Sequence, residues 1–278
     1  LVGSEMCIRD RYIAWLQNQA KEIAASLKKL DSTRINEIVE FYEQYLEHPA
    51  SMHVPLEGEE EETIGQLVGK DRLKNIILLK TKAIIFAPSI LAPFASSLDY
   101  GTAMYRRYPL HGRWFSVIAL NEAYLKSATK SMLRYLLEHE LTQGEIYKEL
   151  ALHHIKILSL EMRGIVHEEA RMRAIQWSCI SIEEVNQERQ LILDLSAQNP
   201  VVPVHLASAS LFRYLEENWE RVKQLGLASR DEREKELEIP RDKLEEWSDF
   251  SVNAFKLFLK ELKRELTTTG AEYGIEIV

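Results

Sequence analysis

The chain has 278 residues, a formal net charge of -8, 46% apolar residues and two cysteines. That length is enough for a well-buried core in one large domain or two small ones. The acidic balance argues against a nucleic-acid partner, because affinity for a phosphate backbone comes from clustered Lys and Arg, and the local pair Arg106-Arg107 does not reverse it.

Residues 1–11, LVGSEMCIRDR, read back through the genetic code as one frame of a transposon-end sequencing adapter, matched over ten consecutive codons. They are expected to be a scar foreign to the fold, the chain proper being present from Tyr12 and its own start lying upstream. Without Cys7 a lone thiol, Cys179, remains. It cannot form an internal disulfide or a Cys-rich zinc site, which points to a reducing, cytoplasmic compartment. Within AIQWSCISI it reads as a reduced, structural cysteine.

From Tyr12 to Glu47 the apolar spacing is helical. Ile13, Leu16, Ala20, Ile23 and Leu27 form one stripe and Ile35, Ile38, Val39, Tyr42 and Leu46 another, with Asp31 or Ser32 as the cap between them. This predicts an N-terminal helical pair over 12–48, the two helices antiparallel. Residues 49–62, with GEEEE, read as an acidic solvated loop. Helical spacing returns over Thr63 to Lys80. The run AIIFAPSILAPFASSL at 83–98 is too short for a membrane span of roughly 20 residues and contains Pro88 and Pro93, so it reads as buried core and no transmembrane span is expected.

RWFSVIALN at 113–121 is β-branched, aromatic and bounded by turn residues, and is the best strand candidate. Leu125, Ala128, Met132, Leu133, Leu136 and Leu137 then line a helix face. Thr142-Gln-Gly-Glu145 resembles a capping box, from which a new helix runs to about Ile180 with a break at Gly164. Asn199-Pro-Val-Val-Pro203 is a further break. Pro240 suits the first position of a last helix that buries Leu244, Trp247, Val252, Phe255, Phe258, Leu259 and Leu262. The fold class is therefore mainly α, a multi-helix globular protein with at most a small β element near 113–121. Residues 63–225 form its central helical core, and 226–278 a charged connection and the C-terminal helix.

Four of the eight histidines, His139, His153, His154 and His167, fall in the stretch from 139 to 167 among many glutamates. His139, His153 and His167 are fourteen apart, and Glu140, Tyr147, His154, Glu161 and Glu168 repeat every seven, so one unbroken helix would gather them into a polar stripe. A di-iron bundle needs Glu-x-x-His, and no histidine here has an acidic residue three positions before it. A zinc hydrolase needs His-Glu-x-x-His, where two imidazoles one turn apart hold the metal and the glutamate activates its water. This chain has HELTQ at 139–143, with Gln143 in place of the second histidine. An amide oxygen is a poor zinc ligand beside imidazole, so His153 or His154 would have to substitute for it.

The context of that motif, SVIALNEAYLKSATKSMLRYLLEHEL, resembles the active-site segment of gluzincin metallopeptidases, SprT-like ones included. It has an edge strand ending in a Leu-Asn step, then a helix carrying Leu-x-x-x-Leu-x-His-Glu-Leu. HEEARMRAI resembles the segment carrying their third ligand, and the likeness spans about Phe115 to Ile175. It implies possible zinc as cofactor, His139 as a ligand, Glu140 as the catalytic base and Glu161, His167 or Glu168 as a third ligand, while Gln143 implies an altered or degenerate site. The alternative is a helical scaffold or interaction module, without catalytic activity, whose His/Glu stripe meets a protein or peptide partner.

Overall fold

The computed structural model describes residues 2–88, 98–153, 160–225 and 241–270. Eleven α-helices among them make the protein mainly α, but seven short strands form two sheets, more β structure than the single element expected near 113–121. Helix α1 (Val2–Leu27) is followed by α2 (Ser32–Glu47), whose cap is Asp31, its side chain accepting from Arg34 N at 2.9 Å. α1 packs chiefly against the last helix, α11 (Arg241–Gly270), which corrects the expected pairing of α1 with α2. The aromatic face of α11 explains this. Phe255 and Phe258 are fully buried, and Tyr42 of α2 meets both edge-on. Of the expected buried face of α11, Trp247 remains 39% exposed and Leu244 and Val252 are half-buried. Arg9, inside the adapter-like segment, pairs with Glu246 and lies over the Trp247 and Phe250 rings.

The acidic loop is largely structured. A 3-10 turn (Pro49–Met52) leads into β1 (His53–Pro55), and Glu59 to Glu62 are the first turn of α3 (Glu59–Val68). Carboxylates favour that position because they face the positive end of the helix dipole. After the short α4 (Lys70–Leu73), Ile76–Thr81 is a strand, β2, where helical spacing was expected. A short continuous apolar run buried on both faces carries no period that separates strand from helix.

The larger sheet has the order β1-β2-β6-β5. RWFSVIALN forms β6 (Arg113–Asn121) as expected, but as an interior strand, parallel to β2 and antiparallel to β5 (Ala103–Leu110). Its two edges are the short β1 and the longer β5. Ile77, Leu79, Val117 and Ala119 join one core, with α1, α2, α9 (Val204–Glu217) and α11, while Leu78, Ile118 and Leu120 join another under α3 and α6 (Lys130–Leu152). The smaller sheet, β4-β3-β7, pairs β3 (Ile84–Pro88) antiparallel with β4 (Leu98–Gly101) and parallel with β7 (Val201–Pro203), so the break expected at 199–203 is a strand. Ala83 to Phe86 are buried, as the core reading requires; 89–97 lie outside the described residues.

From Asn121, which caps the short α5 (Glu122–Ser127), the chain enters α6. That helix runs straight through Thr142–Glu145, so no capping box interrupts it: the Thr142 hydroxyl is buried with no partner among the described residues, and Glu145 pairs with Arg72. α7 (Leu160–Ser178) runs on through Gly164 without a break and packs along α6. It ends at Cys179, in the left-handed region (φ 56) and exposed. This corrects the expectation of a structural thiol, because the turn sends Ile180, not Cys179, into the core. Ser181 then caps α8 (Ile182–Gln198) with a reciprocal capping box. The helices α9 and α10 (Trp219–Leu225) precede the residues outside the description, Pro240 among them. No helix among the described residues is long and apolar enough to cross a membrane.

Candidate functional site

The fourteen-residue spacing of the histidines does not make a stripe along one helix. α6 stops at Leu152 and α7 starts at Leu160, so the chain turns back and residues on the facing sides of the two helices meet in pairs. His139 and His167 are such a pair, their rings edge-to-face with centroids 4.6 Å apart. One turn away, Tyr135 of α6 lies within electrostatic reach of Arg171 of α7. In the other direction, Tyr147 of α6 lies within electrostatic reach of Arg163 of α7.

His139 is buried, and loss of solvation, helped by the nearby His167 and Arg171, pushes its pKa down to about 3. The pKa of His167, half-buried, is also lowered, again chiefly by burial, against the pull of Glu168 and Asp99. Both imidazoles are thus neutral at pH 7 and their ring lone pairs are available to a metal or a proton.

Glu140, one residue on, turns toward the sheet edge. Its Oε2 accepts from the Tyr105 N–H at 2.7 Å, a β5 donor that no strand pairs. Burial pushes its pKa up to about 7, against the opposing pull of that N–H and of Arg106. Gly144 makes the approach possible. A Cβ there would sit 2.5 Å from Tyr105 Cζ, so only glycine lets α6 lie this close to β5. Gln143, half-buried, neighbours Tyr147 on the next turn and opposes the rise that burial causes in its pKa.

The other expected ligands are not brought to this point. His153, exposed at the end of α6, is about 21 Å along the helix from His139 at 1.5 Å per residue. Glu168 is adjacent, its Oε1 3.9 Å from His167 Nδ1, but its other oxygen is held by Arg171 at 2.8 Å. His154 and the Glu161 side chain lie outside the described residues. Because the helix folds back, the seven-residue series from Glu140 to Glu168 does not form one stripe. Among the described residues, no group of three or more His, Cys, Asp or Glu side chains is arranged to hold a metal ion. Two imidazoles suit zinc but leave the rest of its tetrahedral set to water or to donors outside this pair.

Reasoning from the sequence overlooked Arg163 and Arg171, which carry no motif, and read Arg106 only as a surface basic patch. The signal for them was the helical interval of four residues that places Arg163, His167 and Arg171 on one face of α7. Comparison of the chain with protein-family models, with curated proteins and with solved structures finds no match.

Proposed function

We propose that the α6–α7 hairpin carries a zincin-like hydrolytic site with an altered ligand set, in which His139 and His167 supply imidazole donors to a divalent transition metal and Glu140 is the general base. The observation behind this reading is the meeting of two neutral histidines, 28 residues apart in sequence, at 4.6 Å between ring centroids. Glu140 adds to it. A carboxylate whose pKa is near 7 takes a proton and returns it at neutral pH, the range in which a general base is most effective. When bound, the metal would supply Lewis acidity and lower the pKa of a coordinated water. The protein's own part is to hold the imidazoles neutral, to orient Glu140 through Tyr105 N–H, and to bury His139 and Glu140 while His167 stays half-buried.

Zinc titration by calorimetry, with chelator competition, tests the reading. Wild-type protein should take up one equivalent, and His139→Ala and His167→Ala should each lose it. Gln143→His, which restores the one-turn imidazole pair, should tighten binding at least tenfold. No uptake by wild type together with no gain in Gln143→His removes the metal site. A scaffold or interaction module would then be the better reading, which the solvent side of α7 and the start of α8 favour: Ile165, Met172 and Ile182 are 69%, 57% and 65% exposed.

A further inference from the structure

The basic groups around Gln143 have an arrangement that the metal chemistry does not use. Arg106 is on β5, an edge strand of the larger sheet, and its Nη1 donates to the carbonyl of Tyr105 at 2.9 Å. The N–H of that same residue is held by Glu140, so guanidinium and carboxylate sit on successive outward groups of one edge residue. Arg163, exposed, comes from α7, four residues before His167 and so on the same side of that helix. Tyr147, one turn beyond Gln143, is within electrostatic reach of both arginines, and so is His205 at the start of α9.

Two guanidiniums from different elements, Arg106 half-buried and Arg163 exposed, therefore converge on the half-buried side chains of Gln143 and Tyr147 in a protein whose net charge is -8. Among the described residues neither forms an ion pair with a carboxylate, whereas Arg171 is held by Glu168, Arg173 by Glu169 and Arg72 by Glu138 and Glu145. Each guanidinium has five donors in a planar fork. One Arg106 donor is used by the Tyr105 carbonyl, and the remainder of the fork matches the two oxygens of a carboxylate or the three of a phosphate.

We infer that Arg106, Arg163, Tyr147 and Gln143 form a subsite for an oxyanion carried by the ligand, beside Glu140 and the histidine pair. This deepens the hydrolytic reading, on which it rests, by naming the charge of the group that the site takes. It also accounts for Gln143: an amide offers two N–H donors to an oxyanion, whereas an imidazole bound to a metal keeps a single N–H, turned away from the metal.

Binding of inorganic phosphate and of N-acetylglycine, with N-acetylglycinamide as the uncharged control, tests the subsite by calorimetry and amide chemical-shift perturbation at low ionic strength. Wild type should bind at least one of the two anions, with shifts centred on residues 143–147 and 163, and should ignore the amide. Phosphate alone would indicate a phosphorylated ligand, and the carboxylate alone a free acid such as a peptide C-terminus. The double variant Arg106→Gln/Arg163→Gln should weaken binding at least tenfold, while Arg213→Gln, about two turns along α9 from His205 and paired with Glu216 and Asp249, should leave it unchanged. No anion binding by wild type, or equal binding by the double variant, overturns the subsite. Zinc uptake by the same double variant separates the two ideas. Removing positive charge should keep or tighten it, and anion binding without zinc uptake would sink the metal reading alone.

Discussion

His53 and His139 are both buried, and burial pushes both to a pKa of about 3, yet their surroundings differ in kind. His53 Nε2 lies 2.8 Å from Ser210 Oγ, which meets Tyr45 Oη at 2.6 Å and donates to the Ala207 carbonyl at 2.9 Å. Once Ser210 gives its proton to Ala207, Tyr45 and His53 must donate to Ser210. That puts the His53 proton on Nε2 and leaves Nδ1 as a lone pair with no partner among the described residues. The network ties β1, α2 and α9 together and leaves no donor over. His139 instead meets a second imidazole, beside a carboxylate of near-neutral pKa and arginines from two elements. A buried histidine marks a functional site through what it faces, and depth of burial alone does not distinguish the two.

The contrast breaks most visibly at Ser210. Ser210→Ala leaves the Tyr45 hydroxyl and the His53 N–H unpaired in a dry core, at about 1–3 kcal/mol each, so unfolding in denaturant should show a loss of about 3 kcal/mol. Zinc and anion binding should not change. A loss below about 1 kcal/mol would mean that the His53 cluster is not the structural half of the comparison.

The pH dependence sharpens it. Glu140 and Glu188 are buried carboxyls raised to about 7, the second by burial, even though it accepts from Tyr124 Oη at 3.1 Å. A raised carboxyl pKa means that the folded chain binds the proton more tightly than the unfolded one between pH 4.5 and 7. Stability from these groups therefore falls as pH rises through that window. His53 and His139 act oppositely, losing stability as pH drops from 6.5 toward 3, because the unfolded chain takes up the proton first. Glu140→Gln and Glu188→Gln should each gain on wild type by on the order of 2 kcal/mol between pH 5 and pH 8, measured as the change in unfolding free energy. An unchanged difference across that range would mean that the carboxyls titrate normally.

The smallest of these effects is at Gly144. Alanine there gains about 1 kcal/mol of helix propensity but meets the Tyr105 ring at 2.5 Å, and overpacking costs about 1–3 kcal/mol. The net should be a loss of about 1 kcal/mol. Glu140 would also be drawn off the Tyr105 N–H, raising its pKa further, which carboxylate NMR titration reads directly. A stabilised Gly144→Ala protein would show that α6 can lift from β5 without cost.

Much of the helical content was legible along the chain because an amphipathic helix declares its buried face every three to four residues. Ile35, Ile38, Val39 and Tyr42 of α2, and Phe255, Phe258 and Leu262 of α11, were read correctly as core. The Asp31 cap and the strand RWFSVIALN were legible for the same local reason. β2 was not, because Ile76 to Leu79 are apolar on both faces and have no period to read.

The sequence by itself determined that His139 and Gln143 share one face of a helix, that Glu140 follows at once, and that two imidazoles one turn apart are missing. Only the tertiary structure decided that α6 and α7 fold back on each other. The fold-back sends His153 to the far end, brings His167 to His139, and sets Arg163 within electrostatic reach of Tyr147, with Arg106 at the sheet edge nearby. The physical reason is that periodicity records which residues leave the same side of one element. Which two sides meet is settled by burial between elements distant in sequence, here by Gly144 against Tyr105 and by the shared apolar face of the sheet.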